Sequence, residues 1–388
     1  MTPLAVALCA GVTTLLLSLV LPVVVKPLLV RLGIMDVPNE RSSHERPVLR
    51  GLGLAVLIAM LVGGAVAVLL FAAPEWGGSA SWSALLVIVL GSLFAGLLGL
   101  TEDLRGLSVG LRSTALLLIA AGSALGVLVV SGAVTGEVQN GPGLLGDELI
   151  LMRIANDGTM IPVEMTHEAA LPLWGIVLLA IYAVLFISSY INVANFMDGL
   201  NGISGFHGAI AGFTFAAVGA SMNQPWLLAA GLVLGAGFLG FLPWNLSKPG
   251  AFLGDVGSYL LGGATAITSF AALIAGAPLL ATIGPMVIYF GDVGVTLVKR
   301  VRAGHKWDEP HKEHTYQRIQ QLGYTHVQAS GITAACTLAA SLLGLASLFT
   351  GLWGTLALLA GGLAVLVLYL ALPRLLPRAG DPTSSLKR

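Results

Sequence analysis

Residues Ala84-Leu-Leu-Val-Ile-Val-Leu-Gly-Ser-Leu-Phe-Ala-Gly-Leu-Leu-Gly-Leu100 carry no charge, and they run directly into Thr101-Glu102-Asp103. An uncharged apolar run of this length is at the threshold for crossing about 30 Å of hydrocarbon. The carboxylates that end it mark where water begins. Similar runs recur at about 4–25, 51–72, 113–131, 171–190, 203–220, 227–243, 258–275, 278–297, 328–350 and 353–372. Of the 388 residues 56% are hydrophobic and 10% are charged, which excludes an ordinary soluble domain, where about 25% are charged. The expected fold is therefore an all-α polytopic membrane protein of eleven spans forming one domain over 1–388. Its 50 glycines suit close helix packing in lipid. The first run has no Lys or Arg before it and no small-residue cleavage site after it, so it reads as a retained span.

Short loops rich in Lys and Arg stay in the cytoplasm. With eleven spans, 18 of the 19 basic residues fall on one face, in loops 26–50, 101–112, 244–257 and 298–327 and in the tail from 373; only Arg153 falls on the other. This places the N-terminus outside and the C-terminus in the cytoplasm. The long outer connection, 132–170, holds six acids and one base and reads as a periplasmic cap with room for short strands or a small helix. Zero net charge and the lack of a basic tract exclude a nucleic-acid partner. Cys9 and Cys336 both lie in apolar runs and read as packing residues. Small residues on nearly every span mark no single dimer face, so a homodimer is left open.

Polar groups are costly in a bilayer, so their clustering points to function. Twelve of the 19 acids lie on the cytoplasmic side. The first loop there contains Ser42-Ser43-His44, Pro47 and Arg50 before a glycine-rich helix start, which suits an anionic headgroup or phosphate. The second supplies Glu102 and Asp103, whose proximity favours a raised pKa or a shared cation, and then Arg112. In the third, Asn192, Asn195, Asp198 and Asn201 recur every three residues and offer oxygens for a hard cation. The fourth has Asn245 and then Gly254-Asp255-Val-Gly-Ser258, a reasonable magnesium site. The fifth has His311, His314 and Arg318, too few soft ligands for zinc but suited to pyrophosphate and sugar hydroxyls. Asp292, at the cytoplasmic end of the ninth span, could serve the site, but pairing with Lys299 or Arg300 is the favoured expectation. Together these loops describe magnesium-assisted phosphoryl transfer to a membrane acceptor. A nucleotide-sugar or lipid-linked-sugar transporter is the alternative, but internal repeats and deep polar residues are missing.

From Asp36 to Gln321 the five loops, in order, resemble the bacterial polyprenyl-phosphate N-acetylhexosamine-1-phosphate transferases, relatives of the muramoyl-pentapeptide translocase. Ser43, His44, Pro47, Arg50 and the His311–Arg318 loop look most like the branch that starts O-antigen, teichoic-acid and related glycans. The resemblance implies a bacterial inner-membrane enzyme with its site facing the cytoplasm. Such an enzyme moves sugar-1-phosphate from a UDP-N-acetylhexosamine to a polyprenyl phosphate and releases UMP. It implies Mg2+, with Mn2+ as an alternative ion, held by Asn195 and Asp255. Asp103 is then the base or orienter, Glu102 its partner, and Asn192 and Asp198 lie near the metal or pyrophosphate. Arg112 contacts phosphate, Asn201 lies near the uracil, and Ser43, His44, Arg50, Asn245, His311, His314 and Arg318 bind substrate, the last three within the 298–327 recognition loop. Three positions depart from the family pattern. Glu102 stands for the usual Asp, Asn201 for the commoner bacterial Asp, and Leu52 interrupts a triple glycine after Arg50.

Overall fold

The computed structural model describes residues 1–33, 35–36, 48–73, 81–132, 149–154, 160–165, 172–247, 250–305 and 311–379. Eleven helices among them are long and apolar enough to cross a membrane, one for each run read from the sequence. They are α1 (Pro3–Arg31), α2 (Gly53–Phe71), α3 (Ser81–Arg105), α4 (Val109–Val130), α5 (Leu173–Met197), α6 (Ile203–Ser221), α7 (Pro225–Leu246), α8 (Gly254–Ile274), the compound ninth span, α12 (His326–Ala346) and α13 (Leu352–Leu375). The ninth span consists of a short α9 (Leu279–Ile283), a 3-10 turn at Gly284–Met286 and α10 (Val287–Arg302). Pro285 lacks the N–H that an unbroken helix needs. A short α11 (Thr315–Gln321) lies in the fifth loop. Two small antiparallel hairpins complete the description: β1 (Met35–Asp36) with β2 (Val48–Leu49), and β3 (Leu149–Ile154) with β4 (Met160–Met165) in the outer connection. The latter supplies the short strands for which that connection had room. Ser43 and His44 lie outside the described residues.

The centre of the bundle is α8, whose most apolar stretch is wholly buried, and it packs against α2, α3, α4, α5, α6 and α7. Its composition explains this position, because its glycines, alanines, serines and threonines let neighbouring backbones approach. A Cβ on Gly53 of α2 would come within 2.5 Å of the Gly257 Cα, so these two helices touch backbone to backbone. At the other extreme, α13 is 6% buried over its most apolar stretch and exposes Leu352, Trp353, Leu363 and Val367. Large apolar side chains face outward there, while the glycines and alanines of α8 are buried among larger neighbours.

The starts of α2 and α8 are joined before either helix begins. The Phe252 amide donates to the Leu49 carbonyl at 2.8 Å, the Leu52 amide to the Phe252 carbonyl at 3.1 Å and the Gly53 amide to the Leu253 carbonyl at 2.8 Å. Leu49 and Ala251 form a parallel bridge at the head of this pairing. Leu52, which breaks the family's glycine run, is fully buried, and the left-handed conformation needed beside it falls on Gly51, at φ +87°. The first and fourth loops are thereby one unit.

Candidate active site

Four helix ends meet at this unit. Arg50 precedes α2, Asp103 ends α3, Asn195 lies in the last turn of α5, and Asp255 opens α8. Asp103 is nearly inaccessible. Its two carboxylate oxygens accept the Asp255 and Val256 amides at 3.1 and 2.9 Å, so it caps the N-terminus of α8 from another helix. Gly254, at φ +76°, makes this possible, because a Cβ there would lie 2.7 Å from the Asp103 Oδ2. Arg50 spans the two acids, with Nε 2.9 Å from Asp103 Oδ1 and Nη2 2.8 Å from Asp255 Oδ1. The Asn195 amide nitrogen donates to the same Asp255 oxygen at 2.8 Å and to the Ser258 hydroxyl at 3.0 Å. Asp255 Oδ2 and Asn195 Oδ1 carry no hydrogen bond among the described residues. These two open hard oxygens stand beside a bridging guanidinium at a partly exposed helix mouth. They fit an ion that takes few protein oxygens and completes its shell with phosphate and water, as Mg2+ does.

Asp198 caps α5 and accepts the Ser204 hydroxyl at 2.7 Å. Its carboxyl is pushed up to about 7, first by removal from solvent and then by the charges of Asp255 and Asp103, against the lowering effects of the Ser204 hydrogen bond and Arg50. Glu102, next to Asp103 in sequence, points elsewhere. Its Oε2 accepts the Leu107 amide at 3.1 Å and its Oε1 lies 3.5 Å from Arg112 Nη1. Successive helical residues diverge by about 100°, so the expected pair acts on two separate things, the start of α8 and the turn into α4.

Other expected contacts are taken up by the scaffold. The Asn201 amide donates to the Asn245 carbonyl at 2.5 Å, and its Oδ1 meets His326 Nδ1 at 3.0 Å. The buried Asn245 side chain accepts the Gly202 amide and donates to the Ala251 carbonyl at 2.9 Å. Both asparagines therefore tie the third loop to the fourth. Asn192 donates to the Ser188 carbonyl one turn back at 2.9 Å.

The fifth loop docks beside this cluster through residues the sequence did not single out. The Tyr316 hydroxyl donates to the Phe196 carbonyl at 3.1 Å, which ties α11 to the end of α5. The rings of His311 and His314 lie 4.9 Å apart. Asp292 does not pair with Lys299 or Arg300, as the sequence had led us to expect. Arg300 pairs with Glu313, while Asp292 accepts the Thr315 amide on both oxygens at 3.0 Å, the Thr296 hydroxyl at 3.2 Å and the Tyr369 hydroxyl at 2.7 Å, with His314 Nδ1 at 3.4 Å. The reason is position. Asp292 is not at the end of the ninth span, because α10 continues to Arg302, about 15 Å further, and the returning loop comes back to it. In the sequence Tyr369 is visible only as the single tyrosine of the last apolar run.

A bundle of eleven apolar helices with an Arg50–Asp103–Asn195–Asp255 cluster at one mouth fits a membrane enzyme acting on phosphorylated substrates. The chain belongs to glycosyl transferase family 4, whose profile matches residues 85–273. It is 30% identical over 272 residues to the phospho-N-acetylmuramoyl-pentapeptide-transferase of Desulforudis audaxviator, covering 68% of this chain and 74% of the relative. It is 27% identical over 332 residues to the decaprenyl-phosphate N-acetylglucosaminephosphotransferase of Mycolicibacterium smegmatis, covering 79% and 73%. The Mycobacterium tuberculosis protein of the same name is 27% identical over 348 residues, covering 84% of this chain and 78% of that one.

Proposed function

We propose that this protein transfers N-acetylhexosamine-1-phosphate from a UDP-sugar to a polyprenyl phosphate, releasing UMP and starting a lipid-linked envelope glycan of the O-antigen or teichoic-acid type. The observation that carries this reading is the convergence of Arg50, Asp103, Asn195 and Asp255 from four helix ends, in a chain whose family relatives are named for such transfers. The distribution of basic residues supports a mouth on the cytoplasmic side of the inner membrane in this reading, with the N-terminus outside and the C-terminus in the cytoplasm.

In this reading an oxygen of the lipid phosphate attacks the β-phosphorus of the UDP-sugar. A new P–O bond forms there, and the bond from that phosphorus to the bridging oxygen breaks, so the bridging oxygen leaves with UMP. A phosphate monoester has its second pKa near 6 and is already largely dianionic at pH 7. A strong base is therefore unnecessary, which favours direct displacement over an aspartyl-phosphate intermediate. Asp103 positions the start of α8 and Arg50, and Arg50 turns from its carboxylates to the incoming phosphates. Asp255 and Asn195 would hold Mg2+, with Mn2+ as an alternative ion; when bound, it supplies neutralisation of the developing pyrophosphate charge. Arg112, steadied by Glu102, faces the acceptor phosphate. Asn201 and Asn245 shape the loop against the uracil, Asn192 and Asp198 back the metal, and His311 and His314 present the sugar side.

Purified protein given a UDP-N-acetylhexosamine panel, Mg2+ and polyprenyl phosphate tests this directly. The expected result is stoichiometric UMP and lipid-linked sugar, removed by chelation. Neither product, or UMP without lipid-linked sugar, overturns it.

A further inference from the structure

An open cavity of about 120 Å³ lies beside the fifth loop, walled by Thr296 and Lys299 of α10, by Glu313, Thr315 and Arg318 of the returning loop, and by Leu370 of α13. It is on the other side of α11 from the carboxylate cluster. Tyr316 points to α5, and Arg318, two residues further, is turned about 200° away. The resemblance put Arg318 on the sugar and pyrophosphate, but the structure instead puts it in this separate cavity.

The charge there is unbalanced. Glu313 is taken by Arg300 from outside the wall. Neither the Lys299 ammonium nor the Arg318 guanidinium has an ion-pair partner among the described residues. Arg374 follows Leu370 by four residues and so lies one turn along the same face of α13, exposed. Thr296 and Thr315 line the same cavity as Lys299 and Arg318. Thr296 is itself held by Asp292, and so is the backbone of Thr315, so the cavity has a fixed polar floor. The outward faces of α10 and α13 beside it are apolar, with Leu297 and Val367 exposed. Cations and threonines lining one cavity near a helix end, with exposed apolar residues on the adjoining helices, match an anion that has an acyl tail.

We propose that this cavity is a second phosphate-binding site, distinct from the transfer site, and that it takes the headgroup phosphate of an anionic phospholipid. The proposal does not depend on the transferase reading. Delipidated wild-type protein in neutral detergent is titrated with phosphatidylglycerol, with phosphatidylcholine and with inorganic phosphate, and read by thermal melting and by native mass spectrometry. Phosphatidylglycerol is expected to raise the melting temperature and to remain bound, with phosphatidylcholine far weaker. The Lys299→Gln/Arg318→Gln double variant is expected to bind phosphatidylglycerol roughly tenfold more weakly, while Lys299→Arg keeps wild-type binding. Protection by inorganic phosphate but not by lipid, lost in the same double variant, supports the phosphate site and identifies a soluble ligand. Equal phosphatidylglycerol binding by wild type and double variant, or no protection by either ligand, overturns the proposal. If the double variant does not fold, Lys299→Glu alone provides the comparison, and unchanged binding in it is equally fatal.

Discussion

Asp255 and Asp292 are both acids at helix mouths or interiors of one apolar bundle, and the structure treats them in opposite ways. Asp292 is fully buried and saturated, since the Thr296 and Tyr369 hydroxyls, the Thr315 amide and the His314 ring take up both of its oxygens. Asp255 keeps one oxygen open, is 17% exposed at its side chain, and shares the other with a guanidinium and an amide that a ligand can redirect. A saturated acid holds elements together, whereas an acid with a spare oxygen and movable partners is equipped to bind something. Cost alone does not separate them, because either is expensive in lipid.

The largest expected effect falls on the open acid. Asp255→Ala is expected to abolish Mg2+-dependent UMP release, by about 10³-fold or more, while the protein keeps its detergent elution profile and melting temperature to within a few degrees. Turnover at the wild-type rate would place Asp255 with Asp292 as structural and break the comparison. Next comes Asp103, which is intermediate between the two. It is as hidden as Asp292, yet its partners are Arg50 and the first amides of α8. Asp103→Asn replaces one acceptor oxygen with a donor facing an amide, which misplaces Asp255 and frees Arg50. A turnover loss of about 10²-fold with UDP-sugar binding mostly kept is expected in a paired kinetic and binding assay. Equal losses in both would show that Asp103 binds donor rather than positioning the site.

For Asp292 the expected effect is on stability. Asp292→Ala strands the Tyr369 hydroxyl and the Thr315 amide inside the protein, at a cost of about 2–5 kcal/mol. A lowered melting temperature and a proteolytically exposed 311–318 segment are expected, with the surviving folded fraction still binding Mg2+. Asp292→Asn, which can keep part of the network, should fall between. Loss of Mg2+ binding at unchanged stability would erase the contrast with Asp255.

These contrasts also show where sequence reading stops. All eleven spans were legible because hydropathy is a local property and each span needs about twenty apolar residues. The four residues of the cluster were legible as motifs, and their spacing within each loop was informative. Partners across loops were not. Nothing local indicates that Glu102 turns to Leu107 and Arg112 while its neighbour Asp103 crosses to α8, since one residue of helical rotation decides it. Asn201 reads as a cation or uracil contact and Asn245 as a substrate contact, and nothing local indicates that their side chains also bond the Asn245 and Ala251 carbonyls. Asp292 was misread because nearby bases in sequence looked like partners, whereas a helix continuing to Arg302 carried them past it.

The smallest expected effect tests Asp198, an acid neither saturated nor open. Among the described residues Ser204 is its one side-chain donor, and burial holds its carboxyl near 7 rather than near 4. Between those values the folded protein holds a proton that the unfolded chain has released. Stability of the metal-free protein therefore falls as pH rises from about 4 to about 7 and levels off above it. Asp198→Asn keeps an oxygen for Ser204 and removes the titration. In chelator-containing buffer the variant's melting temperature is expected to depend less on pH over this window than the wild type's, and to be the higher of the two at pH 8. Parallel curves would mean that the Asp198 carboxyl is hydrated and charged throughout, and would move it to the side of Asp255.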